Sequence, residues 1–203
     1  MIQALVTALI SYLGTTSDYL VVLLLVFAHY GTRVNRRSVI IGAYVGNFLL
    51  VGVALLIAVV LKKVPDEWLL GLLGIIPIVM GIKAYFFGDD EESAVKARLG
   101  SFSPVQIICN VILITVATCG ADNLALYVPY FANTDLTFLP AILILFLVVL
   151  TIVIFVAKWC AGLQVVSHVF EKYGELFQLV IYIVLGVYVM FEAGTIQHLL
   201  ALI

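Results

Sequence analysis

With 203 residues, 65% hydrophobic and 11% charged, and a mean hydropathy of +1.24, the chain lies far from soluble-domain composition, which runs at roughly 45–50% apolar and about 25% charged. The formal charge of −2 leaves no concentrated basic surface, so nucleic acid is not an expected partner. Cys109, Cys119 and Cys160 show neither CxxC nor disulfide spacing, which argues against an oxidised scaffold.

The opening "MIQALVTALISYLGTTSDYL" lacks the basic n-region and small-residue cleavage site of a secretory signal. It is expected to be a retained first span. A helix crosses a bilayer with about 20 apolar residues. Six runs are long enough: 3–28, 38–61, 68–88, 105–131, 137–159 and 175–193. Short polar turns separate them: "HYGTRVNRRS", "KKVPDE", "GDDEESAVKARLGS", "NTDLT" and "HVFEKYGE". The tail "GTIQHLLALI" is too short to span and is expected at the membrane interface. The fold class is therefore an all-α integral membrane protein with six transmembrane helices in one domain, 1–203. Membrane lipid is its first partner, and its oligomeric state, homo-oligomer included, is open.

Lys and Arg in short loops set orientation. Eight of the ten lie in or beside loops one, three and five: Arg33, Arg36, Arg37, Lys83, Lys96, Arg98, Lys158 and Lys172. Only Lys62 and Lys63 flank the others. Loops one, three and five are expected in the cytoplasm, with both termini outside. The "RVNRR" run reads first as this topology signal, and second as a lipid or partner contact.

Two matches at nearly one offset point to an internal repeat. Asp18 aligned with Asp122 matches "GTTSDYLVVLLLVF" to "TCGADNLALYVPYF", and "IIPIVMGI" matches "VIYIVLGV", pairing Gly81 with Gly186. Repeat one covers about 1–88, a loop about 89–104, and repeat two about 105–203. A three-span unit repeated in tandem enters the membrane the opposite way the second time. The expected result is two inverted three-helix repeats, with a substrate site near the midplane.

Asp18 and Asp122 are the two acids that fall deep inside spans, at repeat-equivalent positions. A carboxylate at that depth costs on the order of 2.5–3.5 kcal/mol. No Lys or Arg lies in either span to neutralise it. Cations, protons or both remain, and a buried carboxyl can exchange one for the other. Cys119 lies three residues before Asp122 on the same helix face, as Thr15 does before Asp18. Thr16, Ser17, Thr118 and Asn123 add neutral oxygens. Thiol plus carboxylate favours a soft or borderline divalent metal, whereas oxygens alone suit Mg²⁺, Ca²⁺ or Mn²⁺. The candidate metal ligands are thus Asp18, Cys119, Asp122, Asn123, Thr15, Thr16 and Ser17. Cys119 as a small buried hydrophobe is the plain alternative.

Gly14 and Gly120 are read either as helix breaks that free carbonyls for an ion or as close packing. "GAYVG" from Gly42 to Gly46 reads as helix contact. Asn47 lines the path or bonds a neighbouring helix, and Pro77 and Pro129 are expected to kink their helices. Cys109 and Cys160 are expected to pack. "GDDEE", Asp66, Glu67 and Asp135 read as solvated loops, Glu192 as interfacial, and His29, His168 and His198 as span-end residues without ligand spacing.

The stretches "GTTSDYLVVLLLVFAHYGTR", "VPDEWLLGLLGIIPIVMGIKA" and "ATCGADNLALYVPYF" closely resemble the bacterial cadmium-resistance transporter family of the CadD type, in the LysE superfamily of small exporters. Asp18, Cys119, Asp122 and Asn123 match its signature positions. The resemblance covers nearly the whole chain. It implies a plasma-membrane efflux protein of six spans in 3 + 3 arrangement that confers resistance to cadmium, with zinc as a second substrate. The residues themselves point to secondary-active exchange against protons, since the chain carries no nucleotide-binding motif. No cofactor and no enzymatic activity are expected. An exporter of amino acids or other organic cations is the alternative. A membrane thiol-redox protein is disfavoured, because Thr15 stands where the partner of Cys119 would be.

Overall fold

The computed structural model describes residues 2–63, 67–87, 91–161, 176, 179–191 and 193–200. Among them every regular element is helical. The helices are α1 (Ile2–His29), α2 (Arg33–Leu61), α3 (Glu67–Gly71), α4 (Ile75–Phe87), α5 (Glu91–Arg98), α6 (Pro104–Asn133) and α7 (Leu139–Cys160). The series ends with α8 (Leu179–Phe191) and α9 (Thr195–Leu200). Three of them, α2, α6 and α7, are long and apolar enough to cross a membrane, and α1 is a fourth if its two bent halves count as one span. The apolar stretches Trp68–Lys83 and Leu179–Phe191 are shorter.

Caps explain two of the starts. Thr32 accepts from the Asn35 N–H and opens α2. Ser103 and Gln106 form a reciprocal capping box ahead of Pro104, which needs no donor there. The third expected span is not one helix. A 3₁₀ turn, Leu72–Gly74, separates α3 from α4. Pro77 is the third residue of α4, which continues directly from this turn: the Ile75 N–H donates to the Leu72 and Leu73 carbonyls. The 3₁₀ turn thus lies where the Pro77 ring meets the carbonyl four residues earlier, and Pro129 sits inside α6.

Small residues set the helix contacts. A Cβ on Gly42 would lie 2.9 Å from the Ile108 carbonyl oxygen, and one on Gly46 would lie 2.9 Å from Thr115 Cβ. The "GAYVG" seam therefore holds α2 and α6 side by side and parallel. Gly74 faces the backbone of Gly186, and Gly81 faces Tyr182 and Leu179, so α4 and α8 cross antiparallel at backbone contact. α2 and α7 also run antiparallel, with Tyr44 and Thr151 hydroxyls 2.8 Å apart and Arg36 beside Phe155 and Lys158.

The loops sort by end. Lys62 donates to the Thr134 carbonyl, which joins loops two and four. The Asp135 carboxylate beside it accepts the Thr137 N–H at 2.9 Å, and this bond holds its pKa below the usual carboxylate value. At the opposite end Tyr30 donates to the Gly100 carbonyl at 3.1 Å, joining loops one and three.

Two segments add to the sequence reading. The third loop is not wholly irregular: Glu91–Arg98 is helical, and Val95 is fully buried. The tail folds back as α9. Thr195 is fully buried and donates to the Trp68 carbonyl at 2.6 Å, and His198 stacks on Trp68 with centroids 4.3 Å apart. Thr195→Val should lower thermal stability by about 1 kcal/mol, the usual worth of a neutral hydrogen bond. A detergent melting curve checks this. Asp66, Asp89, Asp90, His168, Lys172 and Glu192 lie outside the described residues, as do the side chains of Glu67, Glu91 and Glu92.

Candidate functional site

The site is built on α1 and α6. α1 bends by 43° between Val6–Thr16 and Asp18–His29. The Thr15 hydroxyl donates to the Tyr12 carbonyl at 3.2 Å, and the Thr16 hydroxyl donates to the same oxygen at 2.5 Å. Hydroxyls that back-bond to a carbonyl three or four residues earlier compete with the helix ladder and bend it. Gly14, next to this point, has a packing role as well: a Cβ there would meet Ile181 Cγ2 at 2.5 Å.

Two cross-helix pairs fix the register. Thr15 Oγ1 and the Tyr127 hydroxyl lie 2.6 Å apart, and the Tyr19 hydroxyl and Thr115 Oγ1 lie 3.1 Å apart. The helices are thus antiparallel. The two pairs bracket Thr16 to Asp18 on α1 and Cys119, Asp122 and Asn123 on α6. Proton positions follow from counting. Each Thr hydroxyl has one proton, and Thr15 and Thr115 already give theirs to the Tyr12 and Val111 carbonyls. Tyr127 and Tyr19 are therefore the donors across the interface. Thr118 likewise donates to the Ile114 carbonyl, so the Cys119 thiol 3.3 Å away donates to Thr118.

This interval is buried. Thr15, Thr16 and Asn123 are 2% exposed, Cys119 3% and Asp122 9%. Asp18 is half-buried, and the Ser17 side chain lies outside the described residues. Two buried oxygens, Ser11 Oγ and Asn123 Oδ1, have no hydrogen-bond partner among the described residues. A buried polar atom left so costs about 1–3 kcal/mol. Among the described residues no three or more His, Cys, Asp and Glu side chains converge, so Asp18, Cys119 and Asp122 do not form one cluster by themselves. An ion held here would draw on hydroxyl and amide oxygens as well.

Other sequence candidates resolve differently. Gly120 neither breaks α6 nor packs tightly: a Cβ would meet Leu50 Cδ2 at an ordinary 3.6 Å. Cys109 is exposed rather than packed, and Cys160 is half-buried. Asn47 is buried, donates to the Ala43 carbonyl at 3.3 Å, and also interacts with the Tyr19 hydroxyl. His29 lies edge-on to Tyr30.

The sequence reading missed the tyrosines and Ser11. Tyr12 stacks on Phe146 at 4.1 Å and on Tyr127 at 5.9 Å, which ties the site to α7. The signal was present in the spacing. Ser11, Thr15 and Asp18 recur at i, i+4 and i+7, and Cys119, Asn123 and Tyr127 recur at i, i+4 and i+8. Each set forms one polar stripe on an apolar helix.

A family model described as cadmium resistance transporter matches residues 12–202. Neither a curated protein nor a solved structure gives a match.

Proposed function

The chain belongs to the cadmium resistance transporter family, and from that premise we propose that it exports Cd²⁺, with Zn²⁺ as a second substrate, across the bacterial plasma membrane in exchange for protons. Such a carrier fits the CadD type of the LysE superfamily. The observation that carries the reading is Asn123 Oδ1, buried and without a hydrogen-bond partner among the described residues, next in sequence to the buried Asp122 on a helix with no Lys or Arg. Buried acceptors of this kind call for a cation or a proton.

In this reading Asp122, Asn123 and Cys119 on α6 and Asp18, Thr15, Thr16 and Ser17 on α1 form the substrate site. The Cys119 thiol loses its proton to bind the metal, and the bend in α1 exposes backbone to the ion. The two carboxyls hold protons when the ion is absent and release them when it binds. The same reading arranges the chain as two inverted three-span repeats, with six spans, both termini outside, and loops one, three and five in the cytoplasm. Its support is directional: α1 against α6, α2 against α7 and α4 against α8 are all antiparallel, as repeat-equivalent spans in an inverted pair must be.

The test of the soft-metal step is Cys119→Ser in proteoliposomes. A hydroxyl replaces the soft donor at nearly constant volume, so Cd²⁺ flux should fall at least about tenfold relative to Mn²⁺ flux. Unchanged selectivity would remove the thiol from the site.

A further inference from the structure

At the loop-one end of the bundle, two adjoining clefts share Arg36 and Lys158. One, of about 380 Å³, is lined by Gly31, Arg33, Arg36, Arg37 and Lys158. The other, of about 530 Å³, is lined by Phe155, Val156 and Trp159 together with the shared pair. We propose that the pair of clefts is a seat for one anionic phospholipid, with its phosphate among the four cations and its glycerol and upper acyl chain against Phe155, Val156 and Trp159.

Three observations carry this beyond a topology signal. First, the charges oppose their own helix. The first turn of α2 has no acidic residue and holds arginines at the positive end of the macrodipole, where a cation is unfavourable. A local conflict of that kind marks a functional position. Second, the group lacks a protein counter-ion among the described residues. No carboxylate pairs with Arg33, Arg36, Arg37 or Lys158 among the described residues, and Arg36 Nε is buried without an acceptor. The Lys158 ammonium lies 5.5 Å from the Phe155 ring centroid, poised between the two clefts. Third, the apolar cleft continues onto a lipid-facing surface. Trp159 is 86% exposed, and Phe155, Ile152 and Val148 extend the same exposed face along α7. Aromatic side chains concentrate at the headgroup level of membranes. Basic pockets between transmembrane helices hold anionic headgroups. A free phosphate would use the polar cleft alone and leave the apolar one without a role, which favours the lipid. The proposal depends on membrane placement and not on which ion is transported.

Native mass spectrometry of the full chain, released from mixed phosphatidylglycerol and phosphatidylcholine micelles, tests it. The wild type should retain one phosphatidylglycerol in preference to phosphatidylcholine. Arg36→Gln/Lys158→Gln should retain it at least about tenfold less, while Lys63→Gln at the other end should match the wild type. Trp159→Ala should shorten retention with the charges intact, which separates a lipid from a bare anion. Melting in pure phosphatidylcholine controls for folding. Equal retention by the double variant, equal retention of the two lipids, or full displacement by millimolar inorganic phosphate would each overturn the proposal.

Discussion

Asp122→Asn should reduce Cd²⁺ transport to the level of protein-free vesicles while the protein still inserts and melts normally. The side chain is 9% exposed, on a helix with no Lys or Arg, beside an Asn123 oxygen that finds no protein donor among the described residues. The amide keeps volume and most hydrogen-bonding capacity. It removes the negative charge and the exchangeable proton, which are what a cation–proton exchanger uses. Loss of at least about 100-fold in rate corresponds to about 2.7 kcal/mol of barrier. Folding stability should hold or rise, since a neutral amide is less costly to bury than a carboxylate. Asp18→Asn should behave alike, because the Thr15–Tyr127 and Tyr19–Thr115 pairs bracket both acids in one interval. Cd²⁺ should raise the melting temperature of the wild type and of neither variant. Full flux in either variant would break the shared-site model.

The second large effect lies at the α4–α8 crossing. A Cβ on Gly186 would run into the Gly74 carbonyl oxygen and Ile78, and one on Gly74 into the Gly186 carbonyl oxygen. Backbone cannot give way as a flexible side chain does, so the two helices must separate. Overpacking of this kind costs roughly 1–3 kcal/mol, and membrane helices depend on close approach because lipid offers no hydrophobic drive to associate. Gly186→Ala and Gly74→Ala should each lower the melting temperature in detergent by several degrees. Gly120→Ala is the contrast. Its Cβ has ordinary contacts only, at 3.6 Å to Leu50 and 3.9 Å to Val116, and alanine favours helix, so the variant should match or exceed the wild type. Equal melting of all three would show that the crossing is looser than its glycines imply.

Hydrophobic length alone located α1, α2, α6 and α7 to within a few residues at most ends, because a continuous apolar run has few other solutions. α2 begins five residues earlier than expected, since the cap at Thr32 lies outside the apolar run. The third apolar run hides its break at Leu72–Gly74, which comes from Gly71 and Gly74 meeting α9 and α8 in space. α5 was missed because eight mostly polar residues present, among the described side chains, only Val95 to the core. At the site, the acids and Cys119 stood out as costly intrusions in apolar helices. The pairs that bracket them did not. Tyr19, Tyr127 and Thr115 look like ordinary span residues until the antiparallel register sets Tyr19 against Thr115 and Tyr127 against Thr15. Gly120 misled for the reverse reason: its neighbours in sequence are polar, but its neighbours in space leave room.

The central claim is tested most directly by metal flux into proteoliposomes of the full chain, with Cd²⁺, Zn²⁺, Mn²⁺ and Ca²⁺ compared with and without an imposed pH gradient. The account predicts that Cd²⁺ moves fastest, Zn²⁺ next, that Mn²⁺ and Ca²⁺ stay near background, and that an opposing proton gradient accelerates Cd²⁺. Cd²⁺ flux no greater than that of Ca²⁺, or Cd²⁺ flux indifferent to the gradient, would contradict it.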